Sequence, residues 1–377
     1  MKVGLITCWF EHQIFSHYAR ELRDHLQVLG VEVKIIASEC GCGMSHQAKR
    51  TRILEKPDFF LKTPYPVIKH TFSERRKALA FKLALAANLV RGIELNKACS
   101  DCDILHFQQV NDGFGAETLF SFLKVPNKIR KIVTVHELDP FQLHFVKLNA
   151  LYNKAHRVFV YSSYMKEKIM ALGVEEEKLQ VMPLGVRLES LNGHAKNTIV
   201  YYGGHHLLSG KGFQPFLEAL RILKKEGYRY PVRVHGGFGA KDTLEGMALA
   251  TQMGVKEEVE WLGKVEGARL NRIYQEGLLS VIPFTTGTGS FAATLSMANA
   301  TPVVATKAVE LPEYLGDAAL YVPVDNSIAL AEKMKELLDN PQKRQEMGKR
   351  LRARAEKIFS WQKVAEQTLN VYQEIAS

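Results

Sequence analysis

The chain has 377 residues, of which 46% are hydrophobic and 24% charged, and a formal net charge of +10. That length suits two domains, and the composition excludes a disordered, collagen-like or heptad-repeat chain. Apolar stretches such as "ALAFKLALAANLV" are broken by Lys82 and fall short of the roughly 20 residues that a membrane span requires. Met1 leads directly into a strand and the five cysteines are sparse, so the expectation is a cytoplasmic chain without signal peptide or transmembrane helix, its thiols reduced.

In chain order, short β-branched runs at 2–7, 31–37, 104–108, 131–136, 157–161 and 179–182 alternate with helical patterns such as "IFSHYARELRDHLQVLG". That alternation predicts a parallel α/β sheet. The stretch "LGVRLESLNGHAK" then lacks periodicity and reads as a linker. The pattern restarts with "NTIVYYGG", "VRVHGG", "VEWLG", "LLSVIPF", "TPVVAT" and "AALYVPV", which predicts a second parallel sheet. In "FSWQKVAEQTLNVYQEIA", Ser360 is placed to cap a closing amphipathic helix. The expected architecture is two Rossmann-like domains, residues 1–186 and 187–360, whose sheets face one another across a cleft, followed by a helix at 361–377 that crosses back.

Open parallel sheets bind ligands beyond the carboxyl ends of their strands. The suggestive loops of the second half lie on that side: "GGHHLLSGKGF" with Gly203, Gly204, His205 and Lys211, "HGGFG" with Gly236 and Gly237, and "GKVEG" with Lys264 and Val265. Thr288, Gly289, Ser290 and Phe291 then open a helix after "LLSVIPF". Bare amides at a helix start carry the positive end of its dipole and Lys211 adds a full charge, so a diphosphate is the expected guest.

These residues resemble the retaining group 1, or family 4, glycosyltransferases of GT-B fold. "VEWLGKVEGARLNRIYQEGLLSVIPF", "ATPVVATKAVELPEYLGDAALYVPVDNSIALAEKMKELLDN" and "FSWQKVAEQTLNVY" carry the resemblance, together with "VFVYSSYMKEKIMALGVEEEKLQVMPLGV" before the linker. It implies transfer of a sugar from a nucleotide-diphosphate donor, a UDP- or GDP-sugar, to an acceptor hydroxyl of a glycan or glycolipid. It also implies retention of configuration, no metal and no further cofactor, with residues 1–186 binding the acceptor. His136 in "TVHEL" matches a family histidine near the transferred sugar, and it is the expected catalytic residue together with Lys211.

The family's two glutamates around the donor loop have no counterpart, because Gly287 and Leu295 stand at those positions. A histidine, His205 or His206, stands where an arginine is usual, and "WFEHQIFSH" replaces the glycine pair after the first strand. The missing carboxylates bear on which donor is read before they bear on transfer itself. A non-catalytic nucleotide-sugar binder and a sugar-nucleotide epimerase of similar fold are the alternatives. A dinucleotide oxidoreductase is disfavoured, since "ITCWFEHQ" lacks the Gly-x-Gly-x-x-Gly turn.

Other signals carry less. Cys40 and Cys42 follow a strand whereas Cys99 and Cys102 precede one, so parallel strands put the pairs at opposite sheet edges and a zinc site is not expected. Asp101-Cys-Asp103 spells a metal-binding Asp-x-Asp at the wrong edge, and His106 reads as a packed strand residue. Between residues 47 and 97 twelve basic residues face four acidic ones, interspersed with aromatics. That mixture suits docking on the inner face of an anionic membrane or a solvated basic face, and no nucleic-acid recognition motif accompanies it.

Overall fold

A computed structural model of the chain describes residues 1–7, 13–40, 59–65, 90, 93–108, 129–136, 149, 152–204, 207–237, 239–286 and 290–377. The chain forms two compact units, Met1–Pro183 with Trp361–Ser377, and Leu184–Ser360.

The first unit holds β1 (Lys2–Thr7), β2 (Glu32–Cys40), β3 (Phe59–Tyr65), β4 (Ile104–Gln108), β5 (Arg130–Thr134), β6 (Arg157–Val160) and β7 (Leu179–Val181). They pair in parallel in the order β3-β2-β1-β4-β5-β6-β7. Every residue of β4 is buried, as expected for a parallel strand covered on both faces. The strand β3 was not anticipated from the sequence. It contains Pro64, which donates no ladder hydrogen bond, and it lies at the sheet edge where that is tolerated. Helix α1 (Gln13–Val28) buries Tyr18, Ala19, Leu22 and Leu26, a stripe at helical spacing. Helix α2 (Ser163–Met170) is capped by Ser162, whose Oγ accepts from Met165 N at 3.1 Å.

The second unit holds β8 (Thr198–Tyr202), β9 (Val232–His235), β10 (Val259–Gly263), β11 (Gly277–Ile282), β12 (Val303–Thr306) and β13 (Leu320–Val322). Their parallel order is β10-β9-β8-β11-β12-β13. The sheet grows from β8 in one direction and from β11 in the other, so its topological switch point lies between these two strands. The helices are α3 (Phe213–Lys225), α4 (Ala240–Gln252), α5 (Gly267–Gln275), α6 (Phe291–Ala298), α7 (Leu311–Leu315), α8 (Ser327–Leu338) and α9 (Pro341–Arg354). Helix α3 buries Phe213, Phe216, Leu217, Leu220 and Leu223 along one face, each contributing at most about 1.5–3 kcal/mol of hydrophobic stabilisation. Phe216 stacks on Tyr201 of β8 at 4.6 Å, which ties that face to the central strand.

After α9 the helix widens into a π turn over Ala355–Phe359. Ser360 is extended, and Val186 N donates to Phe359 O at 2.8 Å. The last helix, α10 (Trp361–Ala376), packs on α1 of the first unit. Trp361 meets Tyr18 edge-on at 4.9 Å and stacks against His25 at 6.3 Å. Deeper in, Tyr372 hydrogen-bonds His106 Nδ1 at 2.6 Å, and Glu374 pairs with Arg157.

Candidate functional site

The loops leaving β8 and β11 are pressed together beside the switch point. Thr285 N and Thr286 N donate to Gly210 O at 3.0 and 3.2 Å. A Cβ at Gly210 would lie 1.8 Å from Thr286 Oγ1, and one at Gly212 would lie 2.0 Å from Pro283 O. Both glycines adopt φ values in the left-handed region, +68° and +64°, so their backbone conformation and their lack of a side chain are required together.

Lys211 lies between these two glycines. Its Nζ sits 4.1 Å above the centroid of the Phe284 ring, and its carbonyl accepts from Tyr201 Oη at 2.7 Å. The Lys211 stem passes Gly204, where a Cβ would approach Cε to 3.0 Å. Phe284 is held in turn by Thr306 at the end of β12, whose Oγ1 donates to the Phe284 carbonyl at 2.5 Å. The lysine is thus carried on a braced platform built from β8, β11 and β12.

Ser290 opens α6. It is 3% exposed and makes no side-chain cap bond, and among the described residues its Oγ has no hydrogen-bond partner. Helix α6 is buried from Ala292 to Ala298, because "AATLSMA" offers only small or apolar side chains and hydroxyls that turn inward. The first turn of a helix leaves amides without intrahelical acceptors and carries the positive end of the dipole. Phe291 reaches the ring of Tyr202 at 6.2 Å.

The remaining predicted positions line the ends of the neighbouring strands. Gly203 N donates to His235 O at 2.8 Å and Gly236 N to Gly263 O at 2.9 Å, so these glycines stitch adjacent strand exits together. Gly237 is exposed. Lys264 is also exposed and pairs with Glu266 at 3.0 Å, whereas Val265 is buried. His205, Thr288 and Gly289 lie outside the described residues. His235, which sequence reasoning missed, is buried against Tyr202 and contacts Tyr274 Oη through Nε2 at 3.0 Å. Burial lowers its pKa to about 4, so it stays neutral near neutrality.

Glu310 was also missed. It follows β12 on the same edge, is 2% exposed, and its Oε2 has no hydrogen-bond partner among the described residues. Burial pushes its pKa up to about 7, against the opposing pull of its backbone hydrogen bond and of the Lys211 charge. The preceding Val309 has φ +49°, an unusual conformation for a β-branched residue. The available signal was a lone acid in the otherwise apolar turn "AVELP" directly after a strand on the ligand edge.

His136 belongs to the first unit, at the exit of β5. It is 5% exposed; its Nε2 lies 3.0 Å from Gln108 Oε1 and its Nδ1 2.5 Å from Tyr161 Oη. Desolvation lowers its pKa to about 3, so it is a neutral imidazole with both nitrogens engaged. His106 is buried one strand away between Tyr372 and Thr134, also neutral. Asp101 and Asp103 stand at the opposite edge, where Asp101 pairs with Lys2 and Lys34 and Asp103 Oδ2 accepts from Lys2 N. Among the described residues no three His, Cys, Asp or Glu side chains converge as a metal-ligand set.

A doubly wound parallel sheet with Lys211 and the start of α6 on the loops beside its switch point defines the class as a Rossmann-like α/β protein. The comparisons narrow the class. Residues 189–354 match the family model described as glycosyl transferases group 1, and residues 16–190 that described as glycosyltransferase family 4. An MMP alpha-(1->4)-mannosyltransferase from Mycolicibacterium hassiacum is 28% identical over 221 residues, 57% of this chain and 53% of that protein. The matches to curated relatives span between about half and two thirds of those proteins' lengths. Among solved structures, a sucrose-phosphate synthase from Thermosynechococcus elongatus matches with a TM-score of 0.75 at 19% identity, covering 100% of this chain and 99% of that one. The Anabaena protein HepE in complex with UDP and glucose matches with a TM-score of 0.72 at 13% identity, covering 99% and 100%. The chain therefore belongs to the group 1, family 4 glycosyltransferases, and its fold is GT-B.

Proposed function

We propose that the protein transfers a sugar from a nucleotide-diphosphate donor to an acceptor hydroxyl. The observation that carries this reading is the placement of Lys211 and the N-terminus of α6 on the two loops that flank the switch point, loops joined by the bonds of Thr285 and Thr286 to Gly210. As the glycosidic bond breaks, negative charge gathers on the leaving diphosphate, and preorganised donors aimed at that charge are usually the largest catalytic contribution. Lys211 supplies a full positive charge, the first turn of α6 supplies amides, and the Ser290 hydroxyl is a donor without an acceptor among the described residues. Together they do the work that a cation does in other phosphate sites, so transfer without a metal is part of the proposal, as is retention of configuration. Gly203, Gly204, Gly236, Gly237, Lys264, Val265 and Phe291 form the rim around the donor. His136 serves this reading as a neutral hydrogen-bonding group, since a buried imidazole with two engaged nitrogens is a poor proton acceptor.

The acceptor is proposed to be a glycan or glycolipid. Among the described residues no helix is long and apolar enough to cross a membrane. The basic stretch at 47–97, most of which lies outside the described residues, would place the protein peripherally on an anionic cytoplasmic surface. Co-sedimentation with anionic vesicles at low salt tests that placement.

Calorimetry with UDP, GDP and ADP, followed by turnover of UDP-glucose and GDP-mannose with and without EDTA, tests the activity. One nucleotide diphosphate should bind, its sugar donor should be slowly hydrolysed without acceptor, and EDTA should change neither. Lys211→Ala should weaken diphosphate binding by roughly tenfold or more while leaving nucleoside binding intact. A variant that binds like the wild type removes the diphosphate assignment. Epimerised donor would reassign the reaction, and binding without turnover would make the protein a carrier or sensor of the donor.

A further inference from the structure

Glu310 is a buried acid with no evident structural employment. It caps no helix with its side chain, and its Oε2 has no hydrogen-bond partner among the described residues. Removing a polar group from water without a partner is costly, and native chains retain such groups where a ligand completes them. Its position is informative. It follows β12, the strand beside β11 and the switch point, and the charge of Lys211 acts on it. The backbone that carries it is also held in an uncommon conformation at Val309, with φ +49°.

The chemistry selects what such a carboxyl holds. A diphosphate on Lys211 would repel an ionised Glu310, so phosphate is not its ligand. The neutral donors nearest a bound diphosphate are the hydroxyls of the sugar it carries, and a carboxyl oxygen accepts from them strongly. Neither the loop before α6 nor α6 itself offers an alternative acid: Gly287 has no side chain, and Leu295 within the helix is buried and apolar.

We propose that Glu310 is the specificity-determining residue for the donor, binding a hydroxyl of the transferred sugar through Oε2. This assignment rests on the donor reading given above. It places the sugar-reading carboxyl after β12 rather than on the loop between β11 and α6.

The test compares Glu310→Gln and Glu310→Ala with the wild type, using UDP, GDP, UDP-glucose and GDP-mannose as probes. For the pair that the wild type prefers, kcat/KM for the sugar donor should fall roughly tenfold or more in both variants. The Kd of the matching nucleotide diphosphate should move less than about threefold, and discrimination among donors should relax. Glu310→Gln keeps the shape of the side chain, and a melting temperature no lower than that of the wild type would separate lost recognition from lost folding. If donor and nucleotide weaken equally, Glu310 merely balances Lys211 and the proposal is overturned. It is equally overturned if neither changes while the wild type turns donor over. A wild type that binds neither nucleotide nor donor would sink the underlying reading, and this assignment with it.

Discussion

Glu310 makes the stability of the second unit depend on pH in a direction opposite to that of most carboxylates. Below its ordinary value of 4.5 the carboxyl is neutral in the folded and the unfolded chain alike. As pH rises, the unfolded chain releases its proton first, while the buried group keeps its own until about 7. Stability attributable to Glu310 is therefore greatest at low pH, falls between about 4.5 and 7, and stays low above that window. A shift of this size corresponds to at most about 3.5 kcal/mol. Lys211, whose positive charge favours ionisation, and Glu313, whose negative charge opposes it, are the charged side chains acting on it. Glu310→Gln should remove the slope: urea unfolding should give similar midpoints for variant and wild type near pH 4.5, and a more stable variant at pH 8. A pH-independent gap between the two would show that desolvation does not govern this carboxyl. The local sequence marks Glu310 only as a lone acid in the apolar turn "AVELP"; its burial, which sets this behaviour, is a tertiary property.

Elements were far more legible than side-chain environments. Parallel strands covered on both faces must be apolar throughout, so "LLSVI" and "PVVAT" could be read directly, and their alternation with helices set the fold class. The edge strand β3 escaped because "FFLKTPY" carries a lysine and a proline, which only an edge accommodates. The glycine-rich loops could be placed but not joined. That Gly210 and Gly212 interlock with the exit of β11 is a fact of tertiary contact, and the sequence supplied only their lack of a side chain. Gly212 is the N-cap of helix α3, so this glycine couples loop to helix. Gly212→Ala should force the loop away from Pro283 O and move Lys211 with it. We expect a loss of roughly 1–3 kcal/mol in stability, read from denaturant unfolding, with a parallel loss of diphosphate affinity. Retention of both would mean that the loop can relax around a methyl group.

At the scale of the whole chain, the first unit is discontinuous in sequence and the second is not. Helix α10 supplies Trp361 to Tyr18 and His25, and Tyr372 to buried His106. The matched sequence "FSWQKVAEQTLNVY" had marked this helix as one that returns to the earlier part of the chain, but not which residues receive it, since His106 read as ordinary strand packing. A chain ending at Ser360 should leave the second unit protected in amide hydrogen exchange while protection in β1, β4 and α1 drops sharply. Equal protection throughout would mean that α10 only decorates a core already complete.

The discontinuity sets an order of events during synthesis. The ribosome delivers residues 1–183 before the second unit, yet the helix that closes their core emerges only after it. The middle of the nascent chain has its full complement of partners before its beginning does. Until Tyr372 leaves the exit tunnel, His106 and the face of α1 around Tyr18 lack their covering helix, so the earlier-made unit waits for shelter until the later one is complete.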